Sequence, residues 1–195
     1  MRCMSGLFNA PGILFLLVGN SGSGKDTLLK WVLDNWPKDA PPLYVPTRVI
    51  TRPPSPDTEN YISVTPEEFS DKMNRGEFVL FWESYGIKYG VPRIIVDHLN
   101  RGLPVIVNVS RQIINETRQR FPRVKVIFIH VPIPILIERL KKRGRERESD
   151  LEKRLLRAEI NEYLPGADFV IENSGTVEEG GQQLLDALIQ GIKGN

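Results

Sequence analysis

The sequence predicts an α/β fold, a doubly wound parallel sheet flanked by helices, and three observations carry that expectation. Short apolar runs recur at Ile13–Val18, Val105–Val107, Val124–Ile129 and Phe169–Ile171. They are apolar at almost every position, as parallel strands covered on both faces are. Helical periodicity fills the intervals between them, and a glycine-rich turn joins the first run to the first helix.

Each element has its own signal. Gly12 precedes the first strand, and from Asp26 to Trp36 the residues Leu28, Leu29, Val32, Leu33 and Trp36 recur at helical spacing until Pro37 stops the pattern. A short strand at Tyr44–Val45 leads into Pro46–Asn60, which is rich in Pro, Thr, Arg and Ser. That stretch reads as too polar for core, a functional loop or a small inserted lobe. Tyr61–Val64 reads as a strand, and Thr65-Pro66-Glu67-Glu68 supplies a cap, a first-turn proline and acids for a helix ending near Gly76. Short strands are expected at Phe78–Trp82 and Lys88–Tyr89, then helices at Pro92–Asn100, Arg111–Arg120, Pro134–Lys142, Leu151–Tyr163 and Thr176–Ile192.

At 195 residues the chain fits one domain, with a core at about 12–46 and 92–195, an inserted substrate lobe at about 47–91 and a lid at about 141–152. Lys and Arg number 26 against 24 Asp and Glu, a formal charge of +2, which argues against a nucleic-acid or anionic-membrane surface. The single cysteine, Cys3, excludes an internal disulfide framework and a cysteine metal cluster. Ile13–Val18 is too short to cross a bilayer and the first dozen residues lack an apolar signal core, so cytoplasm is expected.

Gly19-Asn20-Ser21-Gly22-Ser23-Gly24-Lys25, after an apolar strand and before a helix, has the pattern of a P-loop NTPase. In such a loop successive backbone N–H groups converge on an anion at a helix start, and glycines let the main chain approach the phosphates of ATP. Lys25 stands where it can reach the β and γ phosphates. The next position usually holds Ser or Thr for Mg²⁺, but here it is Asp26, followed by Thr27. Asp26 either ligates Mg²⁺ as a hard carboxylate donor or only caps the helix while Thr27 or water holds the ion.

Further motifs follow in order: Ile50-Thr51-Arg52, Glu59-Asn60, Tyr89-Gly90-Val91, Asn108-Val109-Ser110-Arg111 and Arg143-Gly144-Arg145-Glu146. With Gly24-Lys25-Asp26 they resemble, from about Ile13 to about Ile192, the guanylate kinases and more closely the ribose 1,5-bisphosphate phosphokinases. Several guanine contacts of the guanylate kinase pattern are missing from this chain, and one of its phosphate-gripping arginines with them. Ser55 stands where a second phosphate-gripping arginine would be, Leu80 where a glutamate reads guanine, Val91 at a hydroxyl position, and Asn108 and Ser110 at two aspartates. The resemblance implies transfer of the γ-phosphoryl of ATP to ribose 1,5-bisphosphate, giving 5-phosphoribosyl 1-diphosphate and ADP. Tyr61 departs from that family, whose members often carry histidine there.

Candidate acceptor residues fit a small, doubly phosphorylated sugar. Asn108, Ser110 and Arg111 follow a buried strand, where ligands of open α/β sheets collect. Arg111 can grip phosphate in a fork, Asn108 and Ser110 can bond sugar hydroxyls, and Arg48 and Arg52 can take the other phosphate. Tyr61 and Tyr89 either donate hydroxyls to a phosphate or pack as half-buried strand residues. The basic run Lys141–Arg147 breaks at Gly144 and suits a lid over ATP. By resemblance Arg143 and Arg154 contact its phosphates, with Arg139, Arg145 and Arg147 as helpers. Glutamates 138, 146, 148 and 152 offer the alternative of ion pairs on a solvated helix. Asn173 is an adenine contact by analogy or a turn residue. An anionic phosphate acceptor needs no general base, so His98 and His130 read as structural. Two alternatives stay open: a guanylate-type kinase with an altered base pocket, and a guanylate-kinase-like binding module without catalysis.

Overall fold

The computed structural model describes residues 8, 10–53, 60–143, 156, 158 and 160–194, the Arg143 side chain excepted. The strands are β1 (Leu14–Gly19), β2 (Arg48–Ile50), β3 (Tyr61–Ser63), β4 (Phe78–Ser84), β5 (Ile87–Pro92), β6 (Val105–Asn108), β7 (Val124–His130) and β8 (Phe169–Glu172). The helices are α1 (Lys25–Asp34), α2 (Pro66–Asn74), α3 (Ile95–Asn100), α4 (Ile114–Arg120), α5 (Ile133–Arg143) and α6 (Val177–Lys193). Strands β6-β1-β7-β8 form the parallel sheet that the apolar runs predict, and β3-β2-β5-β4 form a second sheet of mixed direction.

Two compact units divide the chain: Met1–Leu16 with Pro41–Val124, and Leu17–Ala40 with Lys125–Asn195. In the second unit α1 buries Leu28, Leu29 and Val32, and α6, which buries Leu184, Leu185 and Leu188, packs against it where Gly180 approaches Leu28 and Gly181 approaches Trp31. Thr176 starts α6 with a capping box, its hydroxyl accepting from the Glu179 amide while the Glu179 carboxylate accepts from the Thr176 amide. A smaller apolar cluster of Val131, Leu136, Leu140 and Ala158 lies on the inner face of α5. Of the helix expected at Leu151–Tyr163, residues 156, 158 and 160 are helical and the remainder up to 159 lies outside the described residues.

The first unit holds the mixed sheet and a departure from expectation. Pro46–Asn60, expected to be too polar for core, opens with a strand whose three residues Arg48, Val49 and Ile50 are all buried. A run this short has no periodicity to read, and its arginine breaks the apolar pattern; the charge is instead satisfied from within. The helix expected from Pro92 begins only at Ile95, because Pro92 closes β5. Arg111–Arg120 is a 3-10 turn, Arg111–Ile113, followed by α4. Tyr44 makes a single parallel bridge, to Val105.

Register decides which residues of the mixed sheet share a face. Ile50 pairs with Tyr89, Arg48 with Tyr61, Trp82 with Tyr89 and Leu80 with Val91. Because side chains alternate, Arg48, Ile50, Tyr61, Ser63, Leu80, Trp82, Tyr89 and Val91 stand on one side. A bulge between Phe78 and Leu80 reverses the alternation and sends Phe78 to the opposite side. There it packs with Val49, Phe81 and Phe69 of α2. The β4–β5 hairpin turns in two residues, Tyr85 and Gly86, both with positive φ, the geometry that suits strand twist.

Candidate active site

In the second unit the glycine loop runs from the end of β1 to the start of α1. Gly24 is the N-cap at φ 85°, and it has no side chain with which to cap the first-turn N–H groups, which suits an anion. Its conformation and its surroundings both demand glycine: a Cβ there would fall 2.5 Å from Asn173 Nδ2. Asn173, 5% exposed, follows β8 and donates from Nδ2 to the Ser23 carbonyl at 2.7 Å. Its amide donates to the His130 carbonyl at 2.9 Å, so the residue ties the strand end to the loop. Asn173, expected as an adenine contact or a turn residue, thus has its side-chain amide on the loop backbone.

Lys25 Nζ donates to the carbonyls of Gly19 at 2.8 Å and Asn20 at 3.0 Å, and lies 3.4 Å from Ser23 Oγ. The ammonium is held against the loop by the loop's own main chain. Asn20 Nδ2 points elsewhere, to the carbonyls of Ala158 and Asn161 at 3.3 and 3.4 Å. Ser21, Asp26 and Thr27 are exposed, whereas Ser23 is buried. Arg139 brings Nη1 to within 3.9 Å of where a Gly24 Cβ would lie, so α5 contributes a cation beside the loop. Arg143 ends α5 but its side chain lies outside the described residues, as do the whole of Arg145, Arg147 and Arg154.

In the first unit the sequence-predicted acceptor residues Arg48, Tyr61 and Tyr89 share the sheet face defined above, and Arg52 joins them through its contacts. Arg48, 8% exposed, donates from Nη1 to the Asn108 carbonyl at 2.7 Å and lies 6.0 Å from the Tyr89 ring centroid. Arg52 donates from Nη2 to Tyr89 Oη at 3.1 Å and lies 5.9 Å from the Tyr61 centroid. The Tyr61 hydroxyl donates to the Pro53 carbonyl at 2.7 Å, so its ring supports Arg52 while its oxygen braces the loop. Ser63 Oγ donates to the Arg52 carbonyl at 2.6 Å, and Thr51 Oγ1 accepts from the Lys88 amide at 2.9 Å.

Asn108 ends β6, and Ser110 caps the 3-10 turn, its Oγ 3.5 Å from the Gln112 amide. Arg111 is the first residue of that turn. Gln112 Nε2 donates to the Glu83 carbonyl at 2.8 Å, linking the turn to the β4–β5 hairpin. Members of the arrangement that went unassigned from sequence include Ser63, Gln112, and Trp82, whose ring stacks on Tyr89 with centroids 5.1 Å apart and planes 1° apart. Only the cross-strand register could have shown that pair. Two carboxylates are held below the usual range, both in or just after α2. Hydrogen bonds from its own backbone and Thr65 act on Glu67, and bonds from Lys72 and Arg75 act on Glu77.

A strand, a glycine loop with a lysine folded over it and a helix start define a P-loop protein. The sequence model of the family described as guanylate kinase matches residues 13–190. A ribose 1,5-bisphosphate phosphokinase from Thiobacillus denitrificans is 36% identical over 92% of this chain and 94% of its own length. A bifunctional ribose 1,5-bisphosphokinase-thymidine phosphorylase from Roseobacter denitrificans is 39% identical over 91% of this chain, which spans only 26% of that longer protein. The crystal structure of guanylate kinase from Anaplasma phagocytophilum shares the fold, with a TM-score of 0.68 at 22% identity over 96% of this chain and 89% of that one. The chain therefore belongs to the guanylate kinase family, and within it to the ribose 1,5-bisphosphate phosphokinases. Among the described residues no helix is long and apolar enough to cross a membrane.

Proposed function

We propose that this chain transfers the γ-phosphoryl group of ATP to the 1-phosphate of ribose 1,5-bisphosphate, yielding 5-phosphoribosyl 1-diphosphate and ADP. The observation that carries the choice of acceptor is the cross-strand pair Leu80 and Val91, 2% and 0% exposed. They stand where the guanylate kinase pattern has groups that bond guanine. Two buried aliphatic side chains offer no acceptor to the guanine N1–H and amine, and each unsatisfied group costs roughly 1–3 kcal/mol. A base-free acceptor with two phosphates suits the arginines and polar groups around that face instead.

A terminal oxygen of the acceptor's 1-phosphate attacks the γ-phosphorus while the bond to the β,γ-bridging oxygen breaks, and ADP departs with that electron pair. The nucleophile is already an anion, so alignment and charge stabilisation suffice. The loop amides and Lys25 bind the donor phosphates, and Lys25 exchanges its carbonyl partners for phosphate oxygens as charge builds. Arg48, Arg52 and Arg111 hold the acceptor phosphates, Tyr89 donates its hydroxyl hydrogen, and Asn108 and Ser110 face the sugar. Arg143 and Arg154 complete the donor side.

The residues present fit a Mg²⁺ ion held mainly by phosphate oxygens. Among the described residues no group of three or more His, Cys, Asp or Glu forms a cage, and the exposed Asp26 and Thr27 offer hard oxygen donors in the first turn of α1. Either would hold the ion, which when bound neutralises charge on the β and γ phosphates. ATP and a small phosphorylated sugar are thus the proposed partners, with Mg²⁺ as cofactor and no role for nucleic acid or membrane; cytoplasm is the proposed location.

ADP release measured with each acceptor in turn tests the proposal. Turnover with ribose 1,5-bisphosphate and little with GMP is expected; strong turnover with GMP and none with the sugar would replace it by the guanylate-type reading.

A further inference from the structure

We propose that Trp82 is a positioning residue for the acceptor phosphate, acting through Tyr89 on Arg52 and Arg48. The inference rests on the acceptor site described above and adds a residue to which neither the motifs nor the family resemblance gives a role.

The argument begins with what fixes a tyrosine hydroxyl. Its oxygen lies on the Cβ–Cγ axis, so ring flips leave it in place and only rotation about the Cα–Cβ bond carries it away. An aromatic plane stacked flat against the ring opposes that rotation, and the Trp82 indole is such a plane, 1° from parallel and 5.1 Å between centroids. Register brings the two rings side by side, because Trp82 and Tyr89 are direct cross-strand partners in a hairpin closed by a two-residue turn.

Trp82 is itself held firmly. It is 7% exposed, and the carbonyl of the next residue, Glu83, accepts the 2.8 Å bond from Gln112. From Tyr89 the constraint passes to both arginines. Its oxygen accepts from Arg52 at 3.1 Å, which keeps the hydroxyl hydrogen for a phosphate, and its ring lies 6.0 Å from the Arg48 guanidinium carbon. Arginine side chains carry much rotamer freedom, and a fork aimed in advance loses less of it when phosphate binds. A tryptophan acting only as filler would need neither the parallel stack nor that partner.

The test separates positioning from folding and from the choice of acceptor. Trp82→Leu keeps an apolar side chain and removes the stack; the acceptor KM rises about tenfold while the ATP KM stays within about twofold. Trp82→Phe keeps a smaller stack and raises the acceptor KM about twofold, and it serves alone if the leucine variant fails to fold. In the Tyr89→Phe background Trp82→Leu adds less than its tenfold, because the path through the hydroxyl to Arg52 is already gone and only the ring contact to Arg48 remains. An unchanged acceptor KM, equal rises in both KM values, or full additivity with Tyr89→Phe would each overturn the inference. If wild type uses GMP and not the sugar, the function proposed above falls, and the same KM split measured with GMP decides this one. If it uses neither, calorimetry with inorganic pyrophosphate decides: binding lost in Arg52→Ala weakens in Trp82→Leu, and unchanged binding there overturns the inference.

Discussion

In the proposed function the donor loop and the acceptor face solve the same problem, holding phosphate, with different materials. In the second unit the anion site is main chain: a glycine cap at φ 85°, amides at the start of α1, and a lysine whose ammonium rests on the carbonyls of Gly19 and Asn20. Asn173 braces it from the end of β8. In the first unit the site is side chain: arginines from β2 and the residues after it, held by Tyr61, Tyr89 and the Asn108 carbonyl. Main-chain recognition binds any polyphosphate of the right shape, whereas a face built from side chains can be retuned to a new acceptor residue by residue. On the proposed reading Leu80 and Val91 are such retuning, since they keep the strand pairing and offer no group to bond a base.

Substitutions can break this contrast, beginning with the largest effect. Lys25→Ala removes the loop ammonium proposed to act on the transferred group, and turnover falls about a thousandfold with the circular dichroism spectrum unchanged. Arg52→Ala lowers kcat/KM for the acceptor about a hundredfold while the ATP KM, measured in the same assay, stays near wild type. A parallel loss for ATP would erase the division of labour between the two regions. Asn173→Ala frees the Ser23 carbonyl and removes a buried hydrogen bond, lowering stability by about 1–2 kcal/mol in urea titrations and raising the ATP KM with no change for the acceptor. Asp26→Ser has the smallest effect on folding and sharpens the donor side: a rightward shift of the Mg²⁺ titration makes the carboxylate a metal ligand, and an unchanged curve leaves it a first-turn acid beside the Gly24 cap.

The same contrast explains what the sequence could tell. The loop from Gly19 to Lys25 is contiguous, so its candidacy as a phosphate site was legible in one line of residues, and the strand and helix around it fall within two residues of expectation. Arg52, Tyr89 and Arg48 were legible as candidates, but their contacts depend on the register of β2 against β5, and β2 was hidden inside a stretch that looked like polar loop. A buried arginine reads as surface until Asn108 and Tyr89 are seen around it. Trp82 was hidden for the opposite reason: an aromatic residue in a strand looks like ordinary core, and its partner lies across a hairpin. The bulge at Val79, which sends Phe78 to α2 and leaves Leu80 and Trp82 on the other face, has no signature in the residue pattern.

The central claim is the identity of the acceptor, and the fate of the transferred group tests it most directly. With γ-³²P-labelled ATP, Mg²⁺ and an equimolar mixture of ribose 1,5-bisphosphate and GMP, the account predicts label in the β-phosphoryl of 5-phosphoribosyl 1-diphosphate. Label appearing in GDP, or only in inorganic phosphate, would contradict it.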